Sequence, residues 1–535
     1  MALSASFNGT NITTADSTTG WGNNTITAAE AWTVEVVHQG SAAIGFQASN
    51  KDGMGYFTYG STLNFNTTYA GQHIFMWVNV TMPGTMEALS TGGLYLLVGS
   101  SSSDYKKFQV AAKDYREVME KGFIRFVLDP SKTATESSGT PDMTAINTFG
   151  VWIDTDEAAR IDQLFIDRID VGWGIEVTGT SSDFWNDLVA EDVGLNSGTR
   201  DNMYGIVQEY NGVYFCYGQI KIGDDTGTLS TAVSDSGKTV KFVSQQYYNG
   251  SAWVDMVADN FFKIELVDNA TGSTQFTDGV VVGTDNGRAG SSISGSALHD
   301  TELDCETNLT NASSFVKLYA TQLLDFRAGI KFHSHTDSLF YGGVVSRCGQ
   351  FDPGVAKVRN IIFSETSPVS AAHSAALLWN SSIDIQDCSF IANIDTDGTY
   401  IGHGIEHPAA GSFTYTNLVF SGNEKDIWFS ATSGDLTVSK SGTSNPSTTN
   451  NTNDSSGSLT VQGSVPLTIT VVNSSNAAIT TAAVRIEETD GTLVSQGAVN
   501  GSGIYSSSFS GSTPLTVVLK VRSSSSGEPS LDQCH

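Results

Sequence analysis

The residues best equipped for chemistry crowd into one short stretch between positions 393 and 407. His403-Gly-Ile-Glu406-His407 has the H-x-x-E-H spacing by which some zinc peptidases hold a metal on two imidazoles and set a carboxylate on its water. That chemistry needs a helix, so that both histidines share a face. Gly402, Gly404, Pro408 and Gly411 surround the pentad, and no helix of two turns tolerates that composition. The segment is therefore expected to be an extended turn between structural repeats, without a catalytic role. Just upstream, Asn393-Ile-Asp395-Thr-Asp397-Gly398 matches the first half of a calcium loop, with oxygen ligands at positions one, three and five and glycine at six. The closing glutamate would fall on Gly404, so a calcium ion held by Asn393, Asp395 and Asp397 competes with a plain acidic turn.

His333-Ser-His335 places two imidazoles on one strand face, where copies around an axis could ring a metal. His335, however, aligns with the apolar positions Val358, Ile385 and Tyr415, which favours an inward, hydrogen-bonded ring. Asp384, Asp387, Asp395 and Asp397 could supply paired carboxylates for glycan cleavage, and Trp379, Tyr400 and Trp428 could stack on sugar. Asp387 falls in a bend, and Asp395 and Asp397 fall in a turn. No basic residue lies between Arg359 and Lys425, which disfavours an acidic polysaccharide on these repeats. The chain has no nucleophile elbow, phosphate loop or dinucleotide fingerprint. No cofactor is expected apart from the calcium alternative.

The elements that must carry these residues are repeats. Val358-Arg-Asn360-Ile-Ile-Phe363, Ile385-Gln-Asp387-Cys-Ser-Phe390 and Tyr415-Thr-Asn417-Leu-Val-Phe420 share one pattern, with Phe-to-Phe steps of 27 and 30 residues. A weaker copy, His335-Thr-Asp337-Ser-Leu-Phe340, precedes them. Repeats of variable length built from strands predict a right-handed parallel β-helix over 301–440. Each coil alone cannot bury its inner face; stacked coils place Phe on Phe. The Asn or Asp marks a bend that needs left-handed backbone.

Residues 1–177 read as one β-sandwich, with short apolar runs at even spacing. Ile74-Phe-Met-Trp-Val-Asn-Val80 alternates as a strand with one buried face should. Residues 178–300 read as a β-rich connecting region with one short helix at Asp183–Asp192. Residues 441–458, nearly all Ser, Thr, Asn, Gly and Asp, read as a linker. Residues 459–535 hold about five strands with hairpin signals such as Asp490-Gly491.

Composition bounds the partners. With 27 basic and 56 acidic residues, net −29, a nucleic-acid groove or an anionic membrane face is disfavoured. Only 16% of residues are charged and 10% are aromatic, so this is a folded β chain and not a solvated acidic tail. Met1–Thr10 lacks a basic region and an apolar run, so no signal peptide is expected. Five scattered cysteines, none in C-x-x-C, argue against a zinc ribbon and fit a reducing compartment, with none bridged inside the coils.

Three resemblances follow. Phe149-Gly-Val-Trp-Ile153 with Leu164-Phe-Ile-Asp-Arg-Ile-Asp-Val171 resembles the closing strands of galactose-binding-like jelly rolls. The final segment resembles small Ig-like or prealbumin-like sandwiches of surface proteins. The whole, an all-β chain of N-terminal jelly-roll sandwich, parallel β-helix and C-terminal Ig-like sandwich, is similar to structural proteins and fibres of marine bacteriophages. That resemblance implies a non-enzymatic fibre, spike or head-decoration protein of the virion. It implies a homotrimer made in the host cytoplasm, touching other virion proteins, with host surface glycan as a further candidate partner and no nucleic acid or membrane partner. A glycan-cutting tailspike depolymerase and a passive glycan-binding adhesin are the alternatives.

Overall fold

The computed structural model of the chain describes residues 3–33, 37–49, 52–81, 93–110, 122–154, 161–192, 203–223, 231–258, 261–266, 272–277, 280–284, 302–305, 314–332, 334–366, 371, 374–380, 383–395, 398–462, 465–488, 493–509, 517–522 and 532–534. The described chain is all-β, arranged in several sheets, with the helix Phe184–Asp192 as its exception.

The N-terminal body is a pair of facing antiparallel sheets. In one, Ile161–Ser181 pairs with Ser4–Thr13, Ala43–Ser49 and His73–Val80. In the other, Ile146–Ile153 lies between Gly53–Leu63 and Leu94–Gly99. Phe46, Met76, Val78, Leu96, Phe108 and Phe149 fill the space between them. The expectation of one buried face on the strand 74–80 is corrected: all eight residues of His73–Val80 are buried. Ile74, Met76 and Val78 enter this core, while Phe75 enters the next one.

The cause is the strand Ile161–Ser181, which runs out of the sandwich and into a stack of parallel strands. Its end pairs in parallel with Gln219–Ile222 and Thr231–Ser236. At the crossing, Gly174 has φ +153° and a Cβ there would lie 2.1 Å from the Gln219 carbonyl oxygen, so glycine is required.

From there to residue 462 the chain winds through three parallel sheets, coil upon coil. One sheet gathers Thr231–Ser236, Gly272–Thr277, Ser314–Tyr319, Leu339–Tyr341, Lys357–Arg359, Asp384–Gln386, Gly411–Thr416, Leu436–Ser441 and Leu459–Gln462. The second runs from Val213–Cys216 through Val344–Ser346, Ile362–Ser364 and Ser389–Ile391 to Val419–Ser421. The third runs from Glu302–Asp304 through Phe351–Asp352, Ala375–Leu378, His403–His407 and Lys425–Phe429 to Asn451–Asn453. Strands in register sit about 4.8 Å apart. Phe363, Phe390 and Phe420 are consequently stacked, with centroids 5.0 and 4.9 Å apart and planes within 6° and 15°.

Two columns of left-handed residues flank the second sheet. Asn360, Asp387 and Asn417 have φ of 55°, 57° and 54°, and the Asn417 amide donates to Asp387 Oδ1 at 2.7 Å. On the other side Asp325, Arg347, Glu365 and Ala392 have φ between 51° and 64°.

Several expected boundaries move. Residues 178–300 do not merely connect, since their strands are the first coils of the stack. Nor is 441–458 a linker: Asn451–Asn453 pairs with Ile427–Phe429, and Leu459–Gln462 pairs with Leu436–Ser439, so both belong to the last coil. Side-chain amides supply there the pairing that apolar residues supply elsewhere, as where Asn451 Oδ1 accepts from the Ile427 N–H. The copy at 335–340 is out of register: Phe340 lies beside Val358, and Val345 is the neighbour of Phe363. His335 is accordingly half-buried in a turn, accepting from the Asp337 N–H, and not a core residue; His333 lies outside the described residues.

Beyond residue 465 the strands Val465–Thr470, Ala483–Glu488, Leu493–Ala498, Ile504–Phe509, Val517–Arg522 and Asp532–Cys534 form two small antiparallel sheets around Val471, Val484, Ile486 and Tyr505. Cys216, Cys305, Cys348 and Cys388 are buried, and none of these four is in a disulfide. Among the described residues no helix is long and apolar enough to cross a membrane.

Candidate functional site

The H-x-x-E-H pentad is not a turn. His403–His407 is a strand of the third sheet, buried at all five positions. The glycines that bar a helix are compatible with a strand, and Gly404 is required to be small: a Cβ there would lie 2.8 Å from the Asp426 carbonyl and 3.1 Å from the Phe420 ring. The long step between Phe390 and Phe420 is taken up before the strand, between residues 392 and 402.

The three polar side chains of the strand go to separate partners. His403 bonds to Ser374 Oγ at 3.3 Å and Thr452 Oγ1 at 2.9 Å, and its ring stacks on Trp428 with centroids 5.1 Å apart. Burial lowers its pKa to about 4, against the opposing pull of Glu424 and Asp454. His407 bonds to Tyr415 Oη at 2.7 Å and lies against Trp379; burial alone takes its pKa down to about 3. Glu406 accepts from Gln350 Nε2 at 2.5 Å and from the Ser430 hydroxyl. Burial raises its pKa, and these two hydrogen bonds pull it back. The two imidazoles therefore share no metal position with Glu406. No group of three or more His, Cys, Asp or Glu converges on a metal among the described residues.

Glu406 nonetheless stands in a row that sequence reading missed. It is flanked in register by Leu378 on one coil and Trp428 on the next, with Thr452 beyond. Trp428 Nε1 donates to Asp454 Oδ2 at 2.7 Å. The row offers a carboxyl of raised pKa and an indole along one sheet, with the His403 ring stacked on that indole. Its members are about twenty-five residues apart in sequence, so only the coil register reveals them.

The calcium candidates divide. Asn393 is fully buried; its amide nitrogen donates to Asn423 Oδ1 at 2.9 Å, and its Oδ1 has no partner. Asp395 is 5% exposed; Oδ2 accepts from the Tyr400 N–H at 2.6 Å, and Oδ1 has no partner. Each Oδ1 is a buried oxygen that lacks a donor among the described residues, the kind of atom a hard cation satisfies. Asp397 lies outside the described residues.

The remaining carboxylates are occupied. Asp384 pairs with Arg359 at 2.5 Å and Asp387 accepts from Asn417. Of the proposed sugar platforms, Trp379 is buried inside, stacked on Tyr415 at 4.9 Å, while Trp428 is partly exposed and Tyr400 is half-buried in the turn after Asp395.

No known protein family matches the chain, and no curated protein matches it. Among solved structures, the catalytic domain of a GH87 alpha-1,3-glucanase in complex with nigerose is similar at a TM-score of 0.21 and 9% identity, over 86% of this chain and 98% of that one. The structure titled PfGH50B is similar at a TM-score of 0.19 and 10% identity, over 29% of this chain and only 22% of that chain.

Proposed function

We propose that the chain is a non-enzymatic structural protein of a bacteriophage particle, a fibre, spike or head-decoration protein. Its parts are a jelly-roll sandwich, a right-handed parallel β-helix and an Ig-like sandwich, and it assembles as a homotrimer. The observation that supports this reading is the core itself. A single apolar column runs from Phe75 and Ile175 through Phe363, Phe390 and Phe420 to Val438, with the sandwich packed over its first coil. Such a stack is stiff along its axis, and a covered end leaves no open strand edge there for stray pairing. The distribution of charge supports self-association. In a chain of net −29, the outward positions of the second sheet from Gln322 to Ser421 carry no charge, and they include Val344, Ile362, Ile391 and Val419. Like-charged copies can meet there without repulsion. Sedimentation equilibrium at micromolar concentration tests it: a trimer mass is expected, reduced to monomer by Ile362→Lys with Ile391→Lys. A stable wild-type monomer would overturn the reading.

A second reading, cleavage of surface glycan, draws on Glu406, a carboxyl of raised pKa beside Trp428. Release of reducing ends from a surface polysaccharide, abolished by Glu406→Gln, would replace the first reading with this one.

A further inference from the structure

The first sheet carries a feature that neither reading uses. Its outward ladder runs Lys317, Leu339, Lys357, Asp384 in consecutive coils. Lys317 and Lys357 are thus two rungs, about 9.6 Å, apart at the backbone, with a leucine between them. A cleft of about 350 Å³ opens over this ladder, lined also by Phe315, Tyr319 and Asp337.

Three observations make it a site. First, neither lysine is held in an ion pair among the described residues, although the Asp337 carboxylate lines the same cleft. Asp384, next in the ladder after Lys357, is taken by Arg359, whose guanidinium donates to its Oδ1 at 2.5 Å and to its carbonyl at 2.6 Å. Among the described residues neither Lys317 nor Lys357 forms an ion pair, although the chain carries twice as many acids as bases. Second, Lys317 is positioned: its ammonium lies 4.6 Å from the centroid of the Phe315 ring, and that ring is stacked on His335. Third, the floor between the charges is Leu339, with Tyr319 beside it, a partly exposed apolar strip.

We propose that this cleft binds an acidic oligosaccharide, with carboxylate or sulfate groups on the two lysines and the apolar face of a sugar ring on Leu339 and Tyr319. Two cations at the spacing of a disaccharide repeat fit a chain whose charges recur, and the strip between them suits the C–H face of a pyranose. A single small anion would have to draw both lysine side chains together over Leu339, whereas the Lys317 ammonium is held over Phe315. No Lys or Arg lies between Arg359 and Lys425, so the next coils along this ladder add no further cation to the site.

Titration calorimetry on the full chain tests it, with an oligogalacturonate, a sulfated galactan oligomer and a neutral galactan oligomer of equal length. Binding of at least one acidic oligomer is expected, with the neutral one silent; the first two arms tell carboxylate from sulfate. Lys317→Gln and Lys357→Gln should each weaken binding about tenfold, as loss of one charge-assisted contact does. Lys132→Gln, on the N-terminal sandwich, should leave it unchanged. Binding by the wild type should also fall as salt is raised, a readout that needs no variant. No binding by either acidic oligomer, equal binding of the neutral one, or full affinity in the double variant with an unchanged circular dichroism spectrum would overturn the proposal.

Discussion

Replacing Phe390 with alanine should be among the most damaging single changes in the stack. The ring is fully buried and held between Phe363 at 5.0 Å and Phe420 at 4.9 Å, both nearly parallel to it. Truncating a buried Phe costs about 3–5 kcal/mol, through lost transfer energy and the cavity left behind. The upper half of that range applies here for two reasons. Loss of the ring removes contacts on both faces. The strands above and below are fixed by their own ladders, which limits collapse into the cavity. The assay is urea unfolding followed by circular dichroism, with hydrogen exchange at 361–363 and 419–421 as a local probe. Coils in a stack contact only their neighbours, so protection should fall on both adjacent coils and hardly at all in the N-terminal sandwich. An exposed position off the second sheet serves as control: Ile401 is 44% exposed, and Ile401→Ala should cost about 1 kcal/mol or less. A loss below about 1 kcal/mol for Phe390→Ala, or equal losses at both positions, would refute the inward column.

Asn417 has φ +54°, and both its Oδ1, which accepts from the Thr443 N–H at 3.0 Å, and its amide nitrogen are used; Asn417→Ala should lower stability by about 1–2 kcal/mol, and Asn417→Gly by less, read from unfolding midpoints. Asp170 is fully buried between Arg125 at 2.9 Å and Arg168 at 2.8 Å, so Asp170→Asn should cost about 3–5 kcal/mol by leaving two cations unanswered. His73, His403 and His407 have folded-state pKa values lowered by burial to about 4, 4 and 3, below an unfolded value near 6.5. Below about pH 6.5 the unfolded chain binds more protons at these sites. Their contribution is therefore present at neutral pH and lost progressively as pH falls toward 4. Asp167, raised by burial to about 6, acts in the opposite sense between about pH 6 and 4; the three histidines should outweigh it, so the melting temperature should drop from pH 7 to 5, and a flat profile would contradict this. If Asn393 and Asp395 hold calcium, millimolar calcium should raise the melting temperature and Asp395→Ala should abolish the increase; no shift with the wild type would rule the ion out.

How much of this was legible depended on whether a position needs a particular residue type. The bend at Asn360, Asp387 and Asn417 needs left-handed backbone with a side chain that can bridge coils, so the residue type recurs and the repeat is readable. The bend on the other side of the same sheet needs the same backbone, yet it is made by Asp325, Arg347, Glu365 and Ala392, which share no type. There the ladders on both sides impose the conformation, and nothing in composition announces it. The same contrast explains the last coil. Asn451–Asn453 and its neighbours are held by amides and hydroxyls, and a polar run reads as a linker until its hydrogen bonds are known.

The candidate site was legible in its residues and illegible in its grouping. Glycines around His403 and His407 excluded the zinc helix on sequence alone, and the strand agrees; but the same glycines suggested a turn, because alternation was hidden by a strand buried on both sides. What assembles Glu406 with Trp428, or Lys317 with Lys357, is pairing one or two coils away. In a winding chain, the sequence distance between functional neighbours is the length of a coil, and coil length here varies with each excursion. Function on such a stack therefore has to be sought by columns running across the strands. The two columns proposed to carry chemistry lie on different sheets, one around a raised carboxyl and one around two lysines without an ion pair among the described residues, so substitutions at Glu406 and at Lys317 should act independently of each other.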